Sequence, residues 1–243
     1  LLPVTICAQG AVSLPEITVN ASRVANQAPA ATFAMPVTAL RYEPRVDLHG
    51  RNLAEGQADI TIRGGIFENT AFQLGALTIV DPQTGHYFAE LPVAPSMLAV
   101  PDVRTGSDLA LGATNTTVGA VSHGWRPIRT GGMAAVAVGD YRLRRAEVSQ
   151  GFATVPATGA ARWGAEVAAA RSESDGAVPF GEHEFDRVNV RLQRASGAAQ
   201  TDLFAGYQGK RFGWPNLYTP FNSNETENLQ TLLIALNHRT TWG

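Results

Sequence analysis

The feature that most constrains the fold is a strict alternation of apolar and polar residues, which recurs through the second half of the chain. The clearest stretch is 187–193, which reads RVNVRLQ, and residues 162–171 follow the same pattern. Because successive side chains of a β-strand point to opposite faces, a period of two predicts strands with one apolar and one polar face. The second half is therefore expected to form a β-sheet.

The alternating stretches divide into six predicted strands, at 132–139, 141–151, 160–173, 185–196, 200–213 and 228–242. Their length of roughly ten residues or more suits strands that cross a membrane, since strands of soluble sandwiches usually have about five or six. The connection at 196–200 is short, whereas those at 173–185 and 213–228 are long and polar. Short turns at one rim and long loops at the other are typical of outer-membrane barrels, although the 151–160 connection is longer than such turns.

The first half of the chain has shorter apolar segments that are interrupted by glycine and proline. Residues 59–63 alternate as a short strand and end at Gly64-Gly65, where glycine can adopt the positive φ of a turn. A second apolar run, Phe72–Val80, predicts another strand and ends at Asp81-Pro82, because proline removes a ladder donor. These segments predict a small compact domain built on a mixed sheet.

Composition narrows the functional classes. Charged residues make up 16% of the 243-residue chain and the net charge is -2, so no basic field indicates a nucleic-acid partner. Cys7 is the single cysteine, which excludes an internal disulfide. No apolar run approaches the ~18 residues of a membrane helix.

A search for reactive residues finds no catalytic or metal-binding motif. The five histidines are dispersed, and His183-Glu184 lacks the second histidine of a zinc-protease motif. No nucleophile elbow, phosphate loop or dinucleotide fingerprint is present. We therefore predict a protein that is not an enzyme, with no catalytic residues, no metal site and no cofactor.

The first ten residues resemble the end of a signal peptide. Ala8 and Gly10 are small residues that precede a possible cleavage site before Ala11. The alternative is an ordinary buried first strand, and a lipoprotein role for Cys7 is weaker because Val4-Thr5-Ile6 lacks the expected small residues. The first interpretation predicts an exported protein.

Several short motifs in the first half of the chain resemble the plug domain of TonB-dependent outer-membrane receptors, and the nearest likeness is to the vitamin B12 receptor branch. The motifs that carry this resemblance lie at 59–65, 67–70, 81–86, 91–93, 97–106 and 113–122. One departure is Leu74-Gly75-Ala76, which stands where the family usually has an Asp-Gly turn. The resemblance covers roughly residues 14–124, and the strands after it resemble the start of the family's barrel.

The resemblance implies a mainly β fold, in which a small α+β plug domain precedes the first six antiparallel strands of an incomplete outer-membrane β-barrel. The implied divisions are a signal-peptide remnant at 1–10, a TonB box and flexible linker at 11–36, the plug at 37–124 and barrel strands at 125–243. Plugged receptors of this class have about 22 strands, so we expect the sequence to be part of a longer protein.

The implied function is energy-coupled import of a scarce ligand across the outer membrane of a Gram-negative cell. The partners would be TonB, a small-molecule ligand such as cobalamin or a ferric siderophore, and outer-membrane lipid. An extended peptide can add to the edge of a partner's sheet, which is how a TonB box acts. Its candidate residues are Glu16, Ile17, Thr18, Val19, Asn20 and Ala21. A plain first strand or an unstructured leader is the alternative.

The resemblance also implies a ligand site on the outward-facing loops of the plug, where aromatic and amide side chains suit a polar, ring-rich ligand. Its candidate residues are Arg51, Asn52, Glu55, Phe67, Glu68, Asn69, His86, Tyr87 and Phe88. Ordinary turn chemistry is the alternative explanation for each of them. Because Glu68 would repel an anionic ferric siderophore, we expect a neutral or weakly charged ligand such as a cobamide.

Two further alternatives concern the acidic loop and the function. Glu173, Asp175, Glu182, Glu184 and Asp186 could bind Ca²⁺, although a solvated acidic loop is the simpler interpretation. A secreted or periplasmic β-rich module that binds carbohydrate or another ligand is the alternative function. Strand length and a lipid-facing apolar surface distinguish the two functions.

Overall fold

The computed structural model describes residues 31–50, 55–81, 90–110, 116–216 and 225–241. These residues form twelve strands and four 3₁₀-helices of three to five residues, so the predicted mainly β class is confirmed. The helical part of the expected α+β domain is represented there by 3₁₀ turns alone, because its apolar segments are short and interrupted by glycine and proline. Among the described residues no helix is both long and apolar enough to span a membrane.

The second half of the chain forms one six-stranded antiparallel sheet in which neighbours in sequence are neighbours in space. The six strands are β7 (Gly131–Val138), β8 (Arg144–Ala153), β9 (Arg162–Ser174), β10 (His183–Ser196), β11 (Ala199–Gly213) and β12 (Thr226–Thr240). All six predicted strands are confirmed to within a few residues at each end. The short turn between β10 and β11 and the long β9–β10 connection lie at opposite ends of the sheet.

A sheet of a water-soluble protein buries its apolar face, whereas this sheet buries polar residues and exposes apolar ones along much of its length. Over residues 187–193 of β10 the buried positions are polar, and they are occupied by Arg187, Asn189, Arg191 and Gln193. The exposed positions between them hold Val188, Val190 and Leu192. The alternation in sequence predicted the two faces correctly, and the structure shows that the apolar face is the exposed one.

The strands of the first half form two small sheets. Strands β1 (Val46–Gly50) and β2 (Ala58–Ile62) form a hairpin. The second sheet has the order β4-β3-β6-β5 and consists of β3 (Thr70–Leu74), β4 (Leu77–Ile79), β5 (Asp102–Arg104) and β6 (Gly119–His123). Strands β3 and β6 run parallel while the outer pairs are antiparallel, so the predicted mixed sheet is confirmed.

Two apolar clusters join the first half of the chain to the buried face of the six-stranded sheet. One contains Phe33, Met35, Ile60, Ile62, Phe72 and Val121 together with Phe185, Phe212 and Trp214 of the sheet and its rim. The other contains Leu74, Leu91, Val93, Met97 and Trp125 together with Ala168, Phe204 and Ala235. Phe33 and Met35 lie within the expected linker at 11–36, but both are buried in the first cluster. The packed domain therefore begins before residue 37.

The apolar run Phe72–Val80 is a tight hairpin and not the single strand that the sequence suggested. Strand β3 ends at Leu74 and β4 begins at Leu77, with Gly75 at a φ of 60° between them. The backbone N–H of Ala76 donates to Asn237 Oδ1 of β12 at 3.0 Å. A Cβ at residue 75 would also meet the Asn237 side chain, so glycine is required by both conformation and space.

Candidate functional site

The structure describes some of the predicted site residues and not others. The expected TonB-box residues Glu16, Ile17, Thr18, Val19, Asn20 and Ala21, and the expected ligand residues Arg51, Asn52, His86, Tyr87 and Phe88, lie outside the described ranges. Glu55, Phe67, Glu68 and Asn69 are described. These four residues fall into two separate groups.

Glu55 belongs to a buried cluster that is centred on Lys210 of β11. The Lys210 Nζ atom donates to the carbonyl oxygens of Glu55 at 3.1 Å and Gly56 at 2.5 Å, and it lies 3.8 Å from Glu90 Oε2. Burial raises the pKa of Glu55, and it raises the pKa of Glu90 to about 7 against the opposing attraction of Lys210. Because Glu55 is buried, its carboxylate is not displayed on an open loop as the ligand-site hypothesis assumed.

Phe67, Glu68 and Asn69 form a single 3₁₀ turn between β2 and β3. Glu68 is exposed, whereas Phe67 and Asn69 are half-buried. The carbonyl of Asn69 accepts a hydrogen bond from the Val118 N–H at 3.2 Å, which ties the turn to the segment before β6. The three predicted residues are thus neighbours, and Glu68 is the one whose charge faces solvent.

A buried polar site lies between the six-stranded sheet and the first half of the chain. Arg191 Nη2 donates to Glu166 Oε2 at 2.8 Å, and its Nη1 lies 3.6 Å from Asp202 Oδ1. Arg126, which precedes β7, donates to the other Glu166 oxygen at 3.3 Å. Three strands and the preceding segment therefore meet at one buried ionic cluster.

Two amide side chains in the same interface bind main-chain groups. Asn189 accepts from the Ala94 N–H and donates to the Pro92 carbonyl, both at 2.7 Å. Gln193 accepts from the Ile128 N–H at 2.9 Å and donates to the Arg126 carbonyl at 3.2 Å. An amide offers one acceptor and two donors, so each side chain satisfies a peptide N–H and a peptide carbonyl that burial would otherwise leave unpaired.

The beginning of the described chain is held by two arginines of the sheet. Arg187 Nη1 donates to the Ala34 carbonyl at 2.7 Å, and the guanidinium lies 4.7 Å from the Phe33 ring centroid. Arg145 Nη1 donates to the Ala31 carbonyl at 3.1 Å. Residues 31–34 are therefore anchored through their backbone to β8 and β10.

The sequence pattern did not identify these interface residues as a functional site. The alternation showed that Arg187, Asn189, Arg191 and Gln193 share a face, but a polar face normally points toward water. The residue types alone gave no signal, since arginine and amide side chains are mostly exposed in proteins. What the face contacts depends on tertiary packing.

The acidic residues at the long-loop end are paired with arginines. Arg171 contacts Glu184 at 2.6 Å, Asp186 at 2.9 Å and Glu173 at 3.1 Å. Arg142 pairs in turn with Asp175 at 2.6 Å. In the part of the chain that the structure describes, no group of three or more metal-ligating side chains could hold an ion. The acidic side chains are thus solvated, as the simpler interpretation expected, and their charges are balanced by neighbouring arginines.

The exposed face of the six-stranded sheet carries an apolar band made of consecutive cross-strand rows. These rows contain Val188 beside Ala169 and Tyr207, Val190 beside Val167 and Ala205, and Leu192 beside Ala165 and Leu203, with Leu232, Ile234 and Leu236 continuing them on β12. The charged cluster around Arg171 borders the band at one end. Trp163 and Arg194, whose guanidinium lies 5.9 Å from the ring centroid, border it at the other.

A scan against protein-family models finds no match to this chain, and a search of the curated proteins finds no match either. The geometry of the two sheet faces is therefore what supports a functional proposal.

Proposed function

We propose that this chain belongs to a TonB-dependent outer-membrane receptor, in which residues 31–128 form the plug and β7–β12 form part of the barrel wall. The observation that carries the proposal is the inverted sheet. Its solvent-facing side bears Val188, Val190 and Leu192, and its buried side bears arginine, glutamate and amide groups that bind the domain beside it.

The two faces of the sheet suit different solvents. Large apolar side chains in a contiguous exposed band are unfavourable in water and invite association, whereas in lipid the same side chains are favourable. The polar face needs hydrogen-bond partners, which the packed domain supplies. A strand of 14 or 15 residues, as in β10–β12, is long enough to cross a bilayer at the usual tilt.

The edges of the sheet favour a larger barrel. In the described residues β7 and β12 are the outermost strands of the sheet, and each pairs with one neighbour. Unpaired strand edges are costly in lipid because water cannot satisfy their backbone groups, and closure of the barrel removes them. We therefore propose that further strands complete the wall.

The interface between wall and plug suits a domain that must move. Much of it consists of ion pairs and hydrogen bonds to main-chain groups, such as Arg187 to Ala34 and Asn189 to Pro92. Such contacts can be replaced by contacts to water as the plug shifts, so their net free energy is modest. A pull on residues 16–21 would load the anchored segment at 31–34 first, because that segment follows them in the chain.

The transported ligand is proposed to be a neutral or weakly charged, ring-rich molecule such as a cobamide. The exposed Glu68 disfavours an anionic ferric siderophore, and the half-buried Phe67 in the same turn offers an aromatic surface. A ferric siderophore is the competing ligand, since both kinds of molecule are large and scarce enough to require energised import.

Uptake by the full-length protein tests the proposal. The protein would be expressed in a Gram-negative strain that lacks its own cobalamin receptor, with and without TonB, and the uptake of radiolabelled cyanocobalamin and of a panel of ferric siderophores would be measured. Uptake should require TonB, and Ile17→Pro should abolish it while leaving surface binding intact, because proline removes a main-chain donor. Ile17→Val is the matched control and should import normally.

Cell fractionation provides an independent test. We expect the protein in the outer-membrane fraction, with a heat-modifiable mobility in gels. Recovery as a soluble periplasmic or secreted protein that binds carbohydrate would overturn the receptor proposal and support a binding module.

A further inference from the structure

One cross-strand row ends the apolar band at the short-turn end of the six-stranded sheet. This short-turn row contains one residue from each of β9–β12, namely Trp163, Arg194, Thr201 and His238. The row before it on the same face is entirely apolar and consists of Ala165, Leu192, Leu203 and Leu236. Because two residues of a strand span about 7 Å, the exposed face changes from apolar to polar within that distance.

Three members of the short-turn row have donor groups on side chains that are exposed. The Arg194 guanidinium lies 5.9 Å from the ring centroid of Trp163, which is 55% exposed. A guanidinium that stacks on a ring keeps N–H groups for other partners, and the indole Nε1 is a donor. Thr201 Oγ1 lies 2.8 Å from His238 Nδ1, and in the tautomer in which Nδ1 accepts, His238 Nε2 carries a proton that it can donate.

The positive charge of Arg194 has no carboxylate beside it on this face. Neither the short-turn row nor the apolar row before it contains an acidic residue, and the row after it consists of Ser196, Ala199 and Thr240. Glu166 and Asp202 of the same strands lie on the opposite face, where they contact Arg191. This rim of the exposed face is therefore positive.

The opposite rim of the same face is charged but balanced. Arg171 contacts Glu173, Glu184 and Asp186, and Arg144 lies 3.7 Å from Glu173. An anion that approaches the long-loop rim meets carboxylates beside the arginines, whereas at the short-turn rim it meets donors and a cation. The two rims should therefore attract anions to different extents.

We propose that the short-turn row binds the phosphate of an anionic phospholipid, with Arg194 as the counter-charge and Trp163 and His238 as further donors. Guanidinium groups form strong charged hydrogen bonds with phosphate oxygens, and tryptophan favours the boundary between lipid and water. The acyl chains of the same lipid would lie along the apolar band. The inference rests on the proposed function, because it requires that the band faces a membrane.

The charges of these rows also select among phospholipids. Phosphatidylethanolamine carries an ammonium group beside its phosphate, and that cation would lie near Arg194 with no carboxylate in these rows to receive it. Phosphatidylglycerol carries an uncharged glycerol instead, so its headgroup keeps a net negative charge. Attraction of this size at a membrane surface corresponds to a preference of about fivefold for each arginine.

Native mass spectrometry of the full-length protein, released from detergent micelles, tests the proposal. The probes are phosphatidylglycerol and phosphatidylethanolamine with the same oleoyl chains, and glycerophosphoglycerol, which is the headgroup without chains. We expect phosphatidylglycerol to bind about fivefold more tightly than phosphatidylethanolamine. Glycerophosphoglycerol should bind far more weakly than either lipid, since it lacks the chains that contact the apolar band.

Three variants assign the preference to this row. Arg194→Gln removes the charge and should weaken phosphatidylglycerol binding about fivefold, with little change for phosphatidylethanolamine. Arg194→Lys keeps the charge and should keep the preference. Arg144→Gln is the matched control, because Arg144 lies on the same face at the opposite rim beside Glu173, and it should bind both lipids as the wild type does.

The outcomes separate this site from the receptor proposal. Equal binding of the two lipids, equal losses in Arg194→Gln and Arg144→Gln, or tight binding of glycerophosphoglycerol would overturn the headgroup site. The receptor proposal would still stand in each case if the protein fractionates with the outer membrane and uptake requires TonB. Recovery of a soluble protein that binds neither lipid would overturn both proposals.

Discussion

Arg191 donates to Glu166 over 2.8 Å between neighbouring strands of the six-stranded sheet, and both side chains are almost completely buried. The second oxygen of the same carboxylate accepts from Arg126, which lies outside the six strands. Glu166 is therefore shared between the six-stranded sheet and the segment that leads into it. Through Glu166, the ion pair within the sheet is linked to the segment that joins the sheet to the packed domain.

Removal of one partner of this pair should be strongly destabilising. We expect Arg191→Ala to lower the free energy of unfolding by about 3–5 kcal/mol, because it leaves the Glu166 charge buried with Arg126 as its remaining ion partner. Arg194→Ala on the exposed face of β10 is the control, with an expected loss below about 1 kcal/mol. Urea titration of the protein in micelles measures both, and comparable losses in the two variants would contradict the assigned role.

The apolar band predicts a position-dependent response to charge. Val190→Lys, in the centre of the band, should destabilise the folded state in lipid vesicles by about 2–4 kcal/mol, as expected for a lysine near the bilayer midplane. Val178→Lys is a matched control, since Val178 is equally exposed (48% against 46%) but lies in the long β9–β10 connection. A similar tolerance at both positions would argue that the band does not face lipid.

The buried ring of His123 predicts a loss of stability in acid. Burial lowers its pKa from an ordinary 6.5 to about 4, so between these values the unfolded chain binds more protons than the folded one. Stability from this group is therefore fully present above pH 6.5 and is lost as the pH falls through 4, by about 3 kcal/mol in total.

The measurement for His123 is the denaturant midpoint between pH 7.5 and pH 4. His123→Phe should show a flatter dependence than the wild type, because the substituted ring has no proton to bind. The same substitution at His49, which is exposed on β1, is the control and should leave the wild-type dependence unchanged. Identical pH profiles in wild type and His123→Phe would refute the prediction.

A covalent link between plug and wall should block transport under the proposed function. Asn189 accepts from the Ala94 N–H at 2.7 Å, so these two positions face each other across the interface, and non-reducing mass spectrometry would verify that cysteines placed there form a disulfide. In a Cys7→Ser background, the Ala94→Cys, Asn189→Cys double variant should lose uptake after oxidation and regain it in reductant. Each single cysteine variant is a control that oxidation should not inhibit, and full uptake with the disulfide formed would show that this contact need not open.

The amino-acid sequence by itself determined the strands and their faces. The period of two in residues 162–171, 187–193 and 202–210 was sufficient to locate β9–β11, because side-chain direction along a strand depends only on backbone geometry. Glycine at residue 64 likewise marked a turn, since its positive φ is a local property.

Only the tertiary structure decided what each face contacts. The sequence could not place Asn189 against Pro92 and Ala94, because these contacts join residues about a hundred positions apart. The hairpin at Gly75 depended in the same way on Asn237, which lies on the distant strand β12 and accepts a hydrogen bond from the Ala76 N–H. Local periodicity specifies which residues share a face, whereas burial, hydrogen-bond partners and perturbed pKa values depend on which distant surface packs against it.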